Sequence, residues 1–214
     1  MLFMQMMKEG GPVMWIILAC SLIAVYFFLE KWFQFHREQI NVKELVKGLI
    51  NVLKRDGFIE AVSLCDNTPG PVARILAAAI LAYERGDDDL RQAIEDANME
   101  EIPKLEKHVD LLATIGYIAP LLGLLGTVLG LMGVFQTMHT KSVYLSAADL
   151  SSYINMALIT TASGLCVAIP CYIAYNYLTS RIHSICQEME KAASEIIYFF
   201  KHHKSNRKPQ VENE

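Results

Sequence analysis

Three apolar stretches interrupt an otherwise mixed polar pattern. Residues 10–29 hold 20 positions without a charge, closed by Glu30 and Lys31. Asp110 and His139 enclose 28 uncharged residues, and Asp149 and Arg181 enclose 31. At 1.5 Å rise per residue, the second and third runs exceed the roughly 30 Å hydrocarbon core of a bilayer. The first stretch stays apolar too far past any small-residue site to read as a cleaved leader. Ile17-Leu18-Ala19-Cys20 resembles a lipoprotein box only faintly, so an uncleaved membrane helix is expected there.

Between the first two stretches the pattern is helical, with turn signals. Asn41 is expected to cap a helix through Arg55, ended by Asp56-Gly57. Phe58 to Cys65 reads as a short helix stopped by Asn67-Thr68-Pro69-Gly70-Pro71. Pro71 to Arg85 repeats Ala, Ile and Leu at helical spacing before Gly86. Asp87-Asp88-Asp89 suits the positive end of a further helix running toward the membrane. No calcium-ligand spacing follows it.

The placement of Lys and Arg orients the spans. The segment before the first holds only Lys8 and the one between the second and third only Lys141, against 11 from Lys31 to His108 and six beyond Thr179. Positive charge collects on the cytoplasmic side. The expected class is therefore an all-α integral membrane protein, with three transmembrane helices and a helical cytoplasmic domain. Its expected parts are a periplasmic amino terminus (1–12), a first span (13–30), a cytoplasmic helical domain (31–108), a second span (109–138), a periplasmic loop (139–152), a third span (153–178) and a helical cytoplasmic tail (179–214).

Composition narrows the function. Hydrophobic residues make up 53% of the chain, as a three-span protein requires, and the net charge of −4 speaks against nucleic-acid binding. No phosphate loop, HExxH or nucleophile elbow occurs, so no enzyme is expected. Five cysteines without a CxxC pair indicate neither a disulfide framework nor a zinc site. The six histidines lie at span ends or in the tail, away from any position for a membrane haem, so no cofactor is expected. The basic tail around Lys201-His202-His203-Lys204 is a candidate contact for anionic lipid, and more simply a solvated basic tail.

Small and hydroxylated residues recur in the last two spans. Gly116, Pro120, Gly123, Thr127 and Gly130 are spaced 4, 3, 4, 3, with Ala119, Gly126 and Gly133 in a second row beside them. Ala157, Thr161, Gly164, Ala168 and Cys171 repeat that spacing, with Thr160, Ser163 and Asn155 nearby. Such stripes let helix backbones approach closely. Two spans with glycine stripes are expected to need more than the three helices of one chain to bury them, which points to a homo-oligomer. No Asp, Glu, Lys, Arg or His lies within the uncharged stretches 10–29, 111–138 and 150–180, although ion carriers place titratable groups there despite the cost. An ion route would need a partner's acidic group, received by hydroxyls such as Thr127 and Thr161. The competing reading is a non-conducting scaffold that assembles partner helices.

APLLGLLGTVLGL at 119–131 and ALITTASGLCVAIPCYIAYN at 157–176, which includes Pro170, resemble the two signature helices of the MotA/TolQ/ExbB ion-channel family. GGPVMWIILACSLIAVYFFLEKW at 10–32 is similar to its first span. The resemblance implies a stator subunit of the bacterial inner membrane, a pentamer around single-span TolR/ExbD-type helices whose intramembrane Asp carries H+ or Na+. It further implies work delivered to the envelope, with a TonB/TolA-type protein as a further partner. It implies that Thr127 and Thr161 are the channel threonines. Many members carry Glu just before the Ala-Leu of the third span, where this chain has Met156. That change puts a proton relay through the position in doubt, and Thr160 with Asn155 would then suit a coordinated ion.

Overall fold

In a computed structural model that describes residues 10–37, 41–86, 89–140 and 147–207, all regular elements among the described residues are helices. They are α1 (Gly11–Arg37), α2 (Val42–Leu53), α3 (Phe58–Asp66), α4 (Pro71–Arg85), α5 (Leu90–Glu106), α6 (Val109–Thr140) and α7 (Ala147–Arg207). Three of them, α1, α6 and α7, are long and apolar enough to cross a membrane. The chain divides into two compact units. One comprises Met1–Trp32 and His108–Leu178, and the other Phe33–Lys107 and Thr179–Glu214.

The second unit is built on amphipathic helices. Leu49 and Leu53 of α2, Ala61 and Cys65 of α3, and Ile75, Leu76, Ala79 and Ile80 of α4 form its apolar interior. Tyr83 lies flat on Phe200, ring centres 4.0 Å apart and nearly parallel at 8°. Pro71 opens α4, and Gly86 ends it in the left-handed region at φ 80, where a glycine has no Cβ to clash. Helix α5 pairs with α4 through Glu101, whose buried carboxylate meets Arg74 at 2.9 Å and Lys104 at 2.9 Å. A charge this buried persists because it is paired.

Several local expectations need correction. Asn41 stands at the start of α2 but its side chain caps no amide, and α2 ends at Leu53, short of Arg55, with Asp56 turning at φ 58. Asp89 caps α5 by accepting from the Gln92 amide at 3.2 Å. Asp87 and Asp88 lie outside the described residues. Helix α5 does not run on into the membrane segment. Lys107 takes extended backbone, His108 adopts φ 69, and α6 starts afresh at Val109. Conversely, α1 passes Glu30-Lys31 without a break, and α7 runs continuously from the expected periplasmic loop into the expected tail.

In the first unit, α6 and α7 lie antiparallel and α1 flanks them. Glycine determines the closeness of the central pair. A Cβ on Gly164 would come within 2.5 Å of the Ala119 carbonyl oxygen, and one on Gly123 within 3.0 Å of the Thr161 Cα. A Cβ on Gly130 would meet the Tyr153 carbonyl at 2.8 Å and the Ala157 Cβ at 2.9 Å. Most of these contacts are to backbone atoms, which cannot move aside for a larger residue. The start of α1 packs on α7 where Met156 lies against Gly11. At its other end, Glu30 pairs with His108 at 3.5 Å and Phe27 tilts over the same imidazole, ring centres 4.8 Å apart. Between α1 and α7 an apolar groove of about 400 Å³ is lined by residues including Ala24, Phe28, Trp32, Pro170 and Ala174.

Candidate ion-conducting site

The seam between α6 and α7 uses both small-residue rows at once. On α6 the buried set is Gly116, Ala119, Gly123, Gly126 and Gly130, spaced 3, 4, 3, 4. Pro120 and Thr127, assigned by spacing to the central stripe, are half-buried on its edge. On α7 the seam takes Ala157, Thr160, Gly164, Ala168 and Cys171. The glycine stripes are therefore buried by two helices of one chain. This overturns the expectation that they require neighbouring copies.

Thr160 is fully buried, and its hydroxyl donates back along α7 to the Met156 and Ala157 carbonyls, each at 3.0 Å. Gly126 faces it so closely that a Cβ there would fall on the Thr160 hydroxyl. Thr161, one residue on, is half-buried and points across the seam. Its hydroxyl reaches the Gly123 carbonyl at 3.2 Å as well as its own Ala157 carbonyl at 3.1 Å. In an α-helix the Gly123 carbonyl also receives the Thr127 amide, four residues on. The Thr161 hydroxyl and the Thr127 backbone amide thus share one carbonyl. The Thr127 hydroxyl donates to Leu124 at 2.6 Å.

All three hydroxyl protons are committed to carbonyl oxygens. What remains on Thr127 and Thr161 is the oxygen's accepting capacity, suited to a cation or a protonated acid. To donate to a carboxylate, either hydroxyl must first leave its carbonyl. No group of three or more His, Cys, Asp or Glu side chains among the described residues could hold a metal ion.

Other expected site residues fall elsewhere around α7. With 100° per residue, Asn155 is about 120° from Thr161, and it is exposed. Pro170 lines the groove toward α1, and Met156 packs at the start of α1. Position 156 is therefore about 140° from Thr161 and belongs to the α1 side of α7. Tyr117 and Tyr172 were not singled out by spacing. They stack edge to face across the seam, ring centres 5.4 Å apart, on the flank that carries Thr161. Only their aromatic type at helix positions near Gly116 offered a signal.

Comparison with known proteins places these residues in a family. A model of the MotA/TolQ/ExbB proton channel family matches residues 67–191, which include both threonines. The chain is 32% identical over 193 residues to the ExbB-like protein 3 of Synechocystis sp., covering 88% of this chain and 91% of that one. It is 27% identical over 188 residues to an ExbB homolog of Methanothermobacter thermautotrophicus, covering 87% of this chain and 66% of the relative. It is also 40% identical over 98 residues to the Tol-Pal system protein TolQ of Haemophilus influenzae, covering 45% and 42% of the two chains.

Proposed function

The chain belongs to the MotA/TolQ/ExbB proton channel family, and from that premise we propose that it is the ring-forming stator subunit of an ion-driven machine of the bacterial inner membrane. Its partner is a single-span ExbD/TolR-type protein carrying an acidic residue inside the bilayer. Ion flow between that acid and this chain's hydroxyls drives mechanical work in the cell envelope, of the kind that TonB-type uptake or Tol-type maintenance uses. The ion is H+ or Na+, with no resident cofactor.

One observation carries this reading. Thr161 bonds the Gly123 carbonyl and Thr127 the adjacent Leu124 carbonyl, in spans that carry no Asp, Glu, Lys, Arg or His between Asp110 and His139 or between Asp149 and Arg181. A charge entering there must come from elsewhere, and the threonine oxygens are placed to accept it. Each elementary charge crossing 100 mV supplies about 2.3 kcal/mol, so a few ions suffice for a step of rotation.

The test is ion-dependent work by the complex reconstituted with its single-span partner. Thr127→Val and Thr161→Val remove the oxygen at nearly constant shape, and both should assemble but lose the work; Ser should retain part of it. Cys166→Ala, on the exposed side of α7, should behave as the unaltered protein. Full activity in both Val variants would leave a scaffold as the better reading.

A further inference from the structure

Three donors converge on one carbonyl of α7. In an α-helix the Ala157 oxygen already receives the Thr161 amide, four residues on. The Thr161 hydroxyl also reaches it at 3.1 Å, and the Thr160 hydroxyl at 3.0 Å. A carbonyl oxygen has two lone pairs, so while the helix stays closed only one of the two hydroxyls finds a free one. Each hydroxyl has a second acceptor within reach. Thr160 can turn its single proton to the Met156 carbonyl, also at 3.0 Å. Thr161 can turn its proton to the Gly123 carbonyl of α6, at 3.2 Å. The directions of the two O–H bonds are therefore linked through the oxygen they compete for.

Burial gives the two hydroxyls unequal freedom. Thr160 has no exposed surface, and a Cβ on Gly126 would fall on its hydroxyl. Water does not reach it, so its proton stays on one of the two α7 carbonyls. Thr161 is half-buried and chooses between its own helix and the facing one. With Thr160 on Ala157, the Thr161 proton crosses the seam to Gly123. With Thr160 on Met156, Ala157 is open and the Thr161 proton returns to α7. The Thr161 oxygen stays in place, but its lone pairs point differently in the two arrangements.

We propose that Thr160 is a positioning residue for Thr161. Lying outside the ion route, its hydroxyl occupies the Ala157 carbonyl and directs the Thr161 O–H across the seam to Gly123. That fixes how the Thr161 lone pairs meet an arriving ion. The assignment rests on the stator reading above and gives Thr160 a task at the site without any contact to the ion.

The experiment uses the full complex with its partner, reconstituted in vesicles, and reads ion flux per assembled complex alongside thermal stability. Two variants separate the hydroxyl of Thr160 from its methyl group. Thr160→Val keeps nearly the same shape against Gly126 and leaves no carbonyl unpaired, because Met156 and Ala157 each retain a helical amide. It should melt close to the unaltered protein yet lose about fivefold in flux, the rate equivalent of one neutral hydrogen bond. Thr160→Ser keeps the hydroxyl and leaves a gap where the methyl group stood. It should melt lower yet retain its flux. Unchanged flux in Thr160→Val overturns the proposal, as does flux that follows melting temperature in both variants, the signature of a packing role. Thr161→Val in the same preparation separates this claim from the one beneath it. If it abolishes flux while Thr160→Val conducts normally, only the positioning role is wrong. If it too conducts normally, the stator reading has failed.

Discussion

Thr160 and Thr161 are neighbours of the same type, yet their surroundings give them different capacities. Thr160 is enclosed and bonds only its own helix, so its hydroxyl offers nothing to a passing ion. Thr161 bonds across the seam and is only half-buried. Burial acts as sharply on Cys65, which α3 holds in the interior of the second unit at 2% exposure. Desolvation, and after it the charge of Asp66, pushes this thiol up to about 12. The raised value keeps it neutral at physiological pH, and the thiolate is the reactive form. At pH 8 only about one Cys65 in 10⁴ is a thiolate. Alkylation of native protein by iodoacetamide should therefore pass over Cys65 and reach it after denaturation, read by peptide mass spectrometry. Ready labelling of native protein at that position would show an open α3.

The α6–α7 seam is an element-scale device, and its tightest point is Gly126 against Thr160. Gly126→Ala places a methyl group on the Thr160 hydroxyl and should cost about 1–3 kcal/mol as an overpacked contact. Alanine at 160 would keep the Cβ that stands 2.5 Å from the added methyl group, whereas Thr160→Gly removes every obstructing side-chain atom. The double variant Gly126→Ala/Thr160→Gly should therefore lose less melting temperature than the sum of the two single losses, measured on purified protein in detergent. A double loss equal to that sum would mean that the two residues do not face each other. The existence of this seam was legible in the sequence, because small residues at alternating spacings of 3 and 4 can only mark a close helix contact. Its centre was not. Rows offset by one residue fit that spacing equally well, and they differ by only 100° of arc. The choice between them depends on what α7 presents, so Thr127 was read as central and lies on the edge. The Tyr117–Tyr172 contact was illegible for the same reason, since it needs the register of two helices 55 residues apart. The caps were easier where backbone chemistry alone decides them. Gly86 ends α4 because φ 80 is a conformation that side chains with a Cβ adopt only at a cost, whereas Asn41 found no amide to cap.

At the scale of the molecule, the seam consumes the glycines and leaves most of the apolar surface outside. Only 22% of the most apolar stretch of α6 is buried within the chain, and Leu121, Leu124, Val128, Leu131 and Phe135 are exposed. The case for an oligomer therefore rests on the one-sided hydroxyl flank and the family, since the glycine stripes are satisfied within one chain. A two-fold dimer would press two such flanks together and close the space between them. A cyclic ring of more copies instead turns every flank toward a common axis, where partner helices can stand. We expect five copies by family resemblance, seen by native mass spectrometry as a homo-oligomer retaining single-span partners. A stable monomer that binds none would overturn the ring. The expected direction of the chain in the membrane follows from charge. With residues 31–108 and 179–214 in the cytoplasm, 17 of the 19 Lys and Arg lie inside. Protease added to intact spheroplasts should spare 31–108 and cut it only after the membrane is opened; cleavage there from outside would invert the topology.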